Sequence, residues 1–184
     1  MPRYVAFLRG INLGKRRIKM NELRALFEEM KFGGVKTFIA SGNVIFESGI
    51  GDGGRLEKLI ERRLHEMLGY EVDTFVRTRA EVAAAAAFRP FARADLAAPE
   101  NTVHCGFLRE KLSSVQARGL TACRTEADEF CAAGREFYWL CRGRTHESKV
   151  WTSPPMKALR LPSTTMRNLT TIRKLAAQYP VAET

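Results

Sequence analysis

The chain has 184 residues, enough for one large domain or two small ones, and a fold of this size buries about 70% of the surface its unfolded form exposes without help from disulfides or metal. Hydrophobic residues make up 45% and charged residues 27%, ordinary globular usage that excludes a disordered chain, a collagen and a membrane protein. The unusual number is the charge: 30 Lys and Arg against 20 Asp and Glu give +10.

The first apolar run, Tyr4 to Leu8, lies between Arg3 and Arg9 and is too short for a signal-peptide core. No apolar stretch approaches the roughly 18 residues of a membrane helix. A cytoplasmic protein with no membrane partner is expected. Cys105, Cys123, Cys131 and Cys141 include no Cys-x-x-Cys pair and read as small buried thiols.

Arg3 to Arg9 predicts a buried strand. Gly10 to Lys19 is a basic loop. Met20 to Phe32 predicts an amphipathic helix with Met20, Leu23, Leu26, Phe27 and Met30 on one stripe. Val35 to Ala40 and Val44 to Glu47 predict strands joined by Ser41-Gly42-Asn43, where Gly and Asn both tolerate positive φ. A glycine-rich loop leads to a helix over Arg55 to Leu68, with Leu56, Leu59, Ile60, Leu64, Met67 and Leu68 inward, and then to a strand over Val72 to Arg77. This β-α-β-β-α-β order is ferredoxin-like. A helix over Ala80 to Phe88 ends at Pro90.

The expected division is an N-terminal subdomain over 1–88, a Pro- and Ala-rich linker over 89–101 and a C-terminal subdomain over 102–184. The second part begins with a strand over Thr102 to Leu108 and a helix over Ser113 to Ala122. A hairpin over Glu129 to Cys141 turns at Gly134-Arg135. This is a diverged second copy of the first pattern. Prolines 154, 155 and 162 leave room for one short helix, and a last helix runs from Met166 to Gln178. The fold class is α+β with two ferredoxin-like subdomains and a C-terminal helix.

Three segments carry candidate chemistry. Arg9, Gly10, Asn12, Gly14 and Lys19 form a strand-to-helix loop that can offer backbone N–H groups, a helix terminus and side-chain cations to an anion. It is not a P-loop, since three residues separate Gly10 from Gly14 and Arg16 follows Lys15. Ser41 and Asn43 flank the hairpin turn. Ser41 has no neighbouring His, and the three histidines, His65, His104 and His146, lie in no triad motif, so no catalytic residue is assigned. Arg167 and Asn168 follow Ser163-Thr164-Thr165, which reads as a helix cap. Arg167 would then lie in the first helical turn, where a cation opposes the dipole, suggesting an acidic neighbour or an anionic partner. Neither His104-Cys105 nor Cys141-x4-His146 has zinc-ligand spacing, and no metal or cofactor is expected.

The runs Arg9-Gly10-Ile11-Asn12-x-Gly14, Ile18-Lys19-Met20-x-x-Leu23-Arg24-x-x-Phe27 and Val35-x-Thr37-Phe38-Ile39-x-Ser41-Gly42-Asn43-Val44-Ile45-Phe46 resemble the N-terminal signature of the bacterial family called domain of unknown function 1697. Gly134-Arg135-x-Phe137-Tyr138, Ser148-Lys149 and Thr165-x-Arg167-Asn168 with Lys174-Leu175 resemble its C-terminal signature. The resemblance implies a soluble α+β protein of two related subdomains and supplies no activity. Where the family often has Gly this chain has Lys15, and where it often has Trp-Asn this chain has Leu169-Thr170, which removes a base-stacking surface.

Charge placement narrows the function. Residues 1–24 hold seven basic and one acidic residue, and residues 142–174 hold eight and one. The remainder has fifteen basic and eighteen acidic residues and is slightly acidic. A module binding nucleic acid or a phosphorylated small molecule through these two segments is expected, with Arg9 and Arg167 on one surface. The alternatives are an enzyme acting on a small anionic metabolite and a structural or partner-binding protein.

Overall fold

The computed structural model describes residues 1–14, 16–39 and 42–180. It divides into two compact units, Met1–Ala83 with the described chain end from Gln178, and Ala84–Ala177. Among the described residues no helix is long and apolar enough to cross a membrane.

The first unit contains β1 (Arg3–Leu8), α1 (Met20–Glu29), β2 (Gly33–Phe38), β3 (Asn43–Glu47), α2 (Gly53–Leu68) and β4 (Thr74–Thr78). Its strands lie in the order β2-β3-β1-β4 with every neighbour antiparallel, which is ferredoxin-like. Tyr4, Ala6 and Leu8 of β1 join Val44, Phe46 and Val76 beneath Leu23 and Phe27 of α1 and Leu56, Ile60 and Leu64 of α2. Strand alternation sends Val5, Phe7, Ile45, Phe75 and Arg77 to the opposite face, and they too are buried. Met67, expected inward, is 54% exposed, because α2 turns only its Leu56, Ile60 and Leu64 stripe fully to the core. Helix α1 stops at Glu29 rather than Phe32, since Lys31 takes φ 65° and turns Phe32 back onto Phe27.

β4 is an edge strand, and acids seal its outer side. The N–H groups of Thr74, Val76 and Thr78 donate to the carboxylates of Glu61 (2.9 Å), Glu57 (2.9 Å) and Glu81 (2.8 Å). Three alternate donors that would otherwise template another strand are thereby satisfied.

Helix α3 (Arg79–Ala87) follows β4 directly and carries the chain into the second unit. There follow α4 (Arg93–Ala97), β5 (Asn101–Phe107), α5 (Ser114–Ala122), β6 (Asp128–Ala133), β7 (Glu136–Arg142), a 3₁₀ turn (Val150–Thr152), α6 (Pro154–Ala158), β8 (Thr165–Asn168) and α7 (Leu169–Gln178). Helix α4 occupies the middle of the stretch read from sequence as a linker.

The second sheet has the order β6-β7-β5-β8, the same arrangement as the first. The repeat extends to details. Phe7-Leu8-Arg9 closes β1 as Phe107-Leu108-Arg109 closes β5. The Leu8 N–H donates to the Gly42 carbonyl (2.8 Å), and the Leu108 N–H to that of Arg135 (2.9 Å). Arg77 sits opposite Val5, and Arg167 opposite Cys105.

Residues Met166 to Asn168 were expected to open the last helix but form β8. Pairing of Thr165–Asn168 with His104–Phe107 outweighs their local preference, and Arg167 lies in a strand rather than at a helix dipole. The second core gathers Leu108, Leu120, Phe130, Phe137, Trp139, Val150 and Met156. Buried Asp128 accepts hydrogen bonds from Trp139 Nε1 (2.8 Å), Ser148 Oγ (2.8 Å) and Thr125 Oγ1 (2.9 Å). Gly106 leaves room for Phe137, whose ring lies 2.2 Å from where a Cβ would stand. All four cysteines are free; Cys105, Cys123 and Cys141 are buried, while Cys131 is half-buried.

Glu57→Ala would leave the Val76 N–H buried without its acceptor, a cost of about 1–3 kcal/mol. Urea unfolding checks it, and an unchanged midpoint would show that the edge is sealed without Glu57.

His104 stacks on Trp139 at 5.1 Å, and its buried Nδ1 has no hydrogen-bond partner among the described residues. Burial holds its imidazole below the usual value. The unfolded chain therefore takes the proton first, so stability is whole above about pH 6.5 and falls as pH drops below it toward the folded value. His104→Phe should lose less stability than the wild type between about pH 7.5 and 5. Parallel pH profiles for the two proteins would rule out this linkage.

Candidate anion-binding loop

The end of β1, the β2–β3 turn and the start of β4 lie at one end of the first sheet, as the antiparallel order requires. The Arg9 backbone N–H donates to the Asp73 carbonyl (2.9 Å), and its guanidinium lies 3.1 Å from the Asp73 carboxylate. The chain then turns through Gly10 (φ 68°) and Gly14 (φ 61°).

Asn12 closes the loop. Its Oδ1 accepts from the Ile18 N–H (2.8 Å), and its Nδ2 donates to the Ile18 carbonyl (3.3 Å). Buried Ile11 and Ile18 anchor the two arms. The Tyr70 hydroxyl donates to the Ile11 carbonyl (3.3 Å), and Arg16 lies 4.4 Å above the Tyr70 ring, a cation–π contact. Arg17 donates to the carbonyls of Asn12 (3.3 Å) and Arg16 (2.9 Å). Lys19 precedes α1, where its own N–H donates to the Glu22 carboxylate (3.1 Å). That acid already occupies the helix start, so the loop offers an anion its side chains more than a bare helix terminus. Arg16, Arg17 and Lys19 are exposed, and among the described residues no carboxylate pairs with their side chains.

Gly42 packs tightly against this loop. A Cβ at Gly42 (φ 71°) would stand 2.7 Å from Ile11 Cγ2. Asn43 is fully buried in β3, and its Nδ2 donates to the Phe38 carbonyl (3.0 Å). Only Gly42 of the Gly-Asn pair has positive φ, because Asn43 already pairs with Phe38 and Phe7 in the sheet. Ile39 takes φ 49° and is 53% exposed, a costly conformation for a β-branched residue, and Leu13 is 68% exposed. Ser41 lies outside the described residues.

Arg167 and Asn168 belong to the second unit. Arg167 is buried, and its Nη1 donates to Thr165 Oγ1 (2.8 Å) and to the Met166 carbonyl (2.9 Å). Burial pulls its guanidinium down to about 10, which leaves it charged at neutral pH. Asn168 Oδ1 accepts from the Thr170 N–H (2.8 Å) and caps α7. Within the second basic segment Arg142 is held by Asp95 and Glu129, and Arg144 by Glu147. Lys149, Lys157, Arg160 and Lys174 remain exposed, with no carboxylate partner among the described residues. Sequence reading missed Tyr70 and Asp73. Gly69 was the signal: a helix ending there must return the chain to the end of the sheet where β1 finishes.

The model of the family described as protein of unknown function DUF1697 matches residues 1–138. The chain belongs to the DUF1697 family. Among solved structures, this DUF1697 chain is similar to the conserved bacterial protein SP0830 from Streptococcus pneumoniae, with a TM-score of 0.72, 21% identity, and coverage of 97% of this chain and 98% of that one. That likeness shows a shared fold. No curated protein matches the sequence.

Asn12→Ala should cost about 1–2 kcal/mol by removing both hydrogen bonds that close the loop. Thermal unfolding checks it, and a variant as stable as the wild type would show that Ile11 and Ile18 hold the loop unaided.

Proposed function

We propose that the protein is a cytoplasmic module that binds phosphate-bearing ligands, nucleic acid foremost, through its basic segments, with the 9–19 loop of the first unit as the principal contact. The observation that carries this reading is the exposure of Arg16, Arg17 and Lys19 beside the Asn12–Ile18 hydrogen bonds and buried Ile11 and Ile18, with no acid pairing their side chains among the described residues. Cations held in place and not neutralised internally are the usual footprint for phosphate. Exposed Leu13 and Ile39 provide apolar contact at the same end of the sheet. Free thiols throughout suit a reducing compartment. Lys149, Lys157, Arg160 and Lys174 are the contributions of the second segment.

The enzyme alternative gains less support, because Asn12, Asn43, Arg167 and Asn168 direct side-chain hydrogen bonds at nearby backbone rather than holding all their donors for a metabolite. Recognition by aromatics on an open sheet, as in RNA-recognition motifs, is also disfavoured, since Val5, Phe7, Ile45 and Phe75 are buried on the face away from α1 and α2.

Binding to single-stranded RNA and DNA oligomers should weaken steeply with salt. Replacing Arg16, Arg17 and Lys19 together by Gln should lower the magnitude of the log–log salt slope by about 2, at roughly 0.7 per phosphate contact. Fluorescence anisotropy across salt concentrations checks both. Absence of binding at low salt, or a slope unchanged in the triple variant, would overturn the assignment to this loop.

A further inference from the structure

The second unit carries another cationic site, at the C-terminal end of α3. Arg89 Nη1 donates to the carbonyls of Ala86 (2.8 Å) and Phe88 (3.0 Å). Arg173 Nε reaches the same Ala86 carbonyl at 3.4 Å. One cation at a helix C-terminus is an ordinary cap. Two guanidinium groups on one carbonyl exceed it, because a helix end offers only about half a negative charge. Neither arginine has a carboxylate partner among the described residues. Two acids of adjoining elements, Asp95 of α4 and Glu129 of β6, are both engaged by Arg142, at 2.8 Å each. Burial and the repulsion of Arg89 hold the Arg173 guanidinium below its usual value.

Arg89 also lines a cleft of about 470 Å³ with Phe91, Arg93, Leu96 and Ala97. The cleft thus combines an apolar wall with two arginines, and Arg173 adds positive potential beside them. Several unneutralised guanidinium groups match a doubly charged phosphate better than a singly charged carboxylate. We propose that this cleft binds a phosphomonoester carried on an apolar group, with Arg89 and Arg93 on the phosphate and Phe91 and Leu96 against the apolar part. The site lies within the second unit and does not depend on the 9–19 loop.

The test is titration of phenyl phosphate into the ¹⁵N-labelled full chain, followed by NMR at the arginine Nε–H and backbone signals. Saturable shifts are expected at Arg89, Arg93 and Leu96, with phenyl phosphate binding about tenfold or more tighter than inorganic phosphate or phenol. Arg93→Gln, on an exposed turn of α4, and Arg89→Gln should each weaken binding by about tenfold. The Arg16, Arg17 and Lys19 triple variant should leave it within about twofold, which separates this site from the loop. No shift at these residues up to about 10 mM, equal binding of inorganic phosphate, or shifts unaffected by both arginine substitutions would overturn the proposal.

Discussion

In each sheet the first strand lies inside, hydrogen-bonded on one side to the hairpin and on the other to the last strand. Everything else follows from that placement. A strand paired on both edges and covered on both faces has no position for an exposed polar side chain, so Tyr4 through Leu8 are all buried and the sequence there is continuously apolar. Polar chemistry is confined to the strand's ends. Arg3 pairs with Glu47 at one end, and Arg9 with Asp73 at the other. The outer edge of β4 offers no alternative, because Glu61, Glu57 and Glu81 take its free N–H groups. On the proposed reading, the loops at the end of the sheet are where the first unit meets its ligand.

The same logic, applied twice, separates structural arginines from available ones. Arg77 and Arg167 occupy equivalent positions on the last strand of each sheet, and each donates to the carbonyl of the preceding residue at 2.9 Å. A guanidinium out of water must keep its donors engaged, and a site that supplies those partners holds it as part of the frame. Arg16 and Arg17 carry the same charge on an exposed loop, where solvent stabilises them and a phosphate can replace part of that solvent. Side-chain identity is the same in the two cases; burial and partners decide the role.

The architecture of the first unit was legible because its signals were local: apolar stripes at helical spacing, Gly42 at a turn, and four short β-rich runs. The second unit was harder. β8 is four residues long and begins at the last of three hydroxyl residues that read equally well as a helix cap, and only its pairing with β5 makes Met166–Asn168 a strand. The Phe-Leu-Arg triplets at 7–9 and 107–109 were the available mark of the repeat, and β8 follows once β5 is matched to β1. At the candidate site, the motif drew attention to the 9–19 loop, and its asparagines turn out to be bonded to nearby backbone. An Asn side chain competes for nearby backbone groups: Asn12 in the loop binds the N–H and carbonyl of Ile18, and Asn43 at the start of β3 binds the Phe38 carbonyl. Tyr70 and Asp73 were invisible because their contribution arises from the return of a distant segment to the same end of the sheet.

Burial of both sheet faces also constrains how a nucleic acid would be held. Bases read by stacking need aromatic rings on an open surface, yet Phe7 and Phe75 in the first sheet and Phe107 and Tyr138 in the second are enclosed. In the second sheet the Tyr138 hydroxyl donates to the Ala85 carbonyl (3.3 Å), and the Phe88 ring packs on it at 4.9 Å, so the end of α3 occupies that surface. Among the cations the first unit leaves outside are Arg16, Arg17 and Lys19, long side chains beside the Asn12–Ile18 hydrogen bonds. Such groups contact phosphates and sense strand geometry and charge density rather than base identity. On the proposed reading the contact is electrostatic, salt-sensitive and indifferent to sequence, and sequence preference would have to come from Tyr70, Leu13 or Ile39 at the margin of the loop.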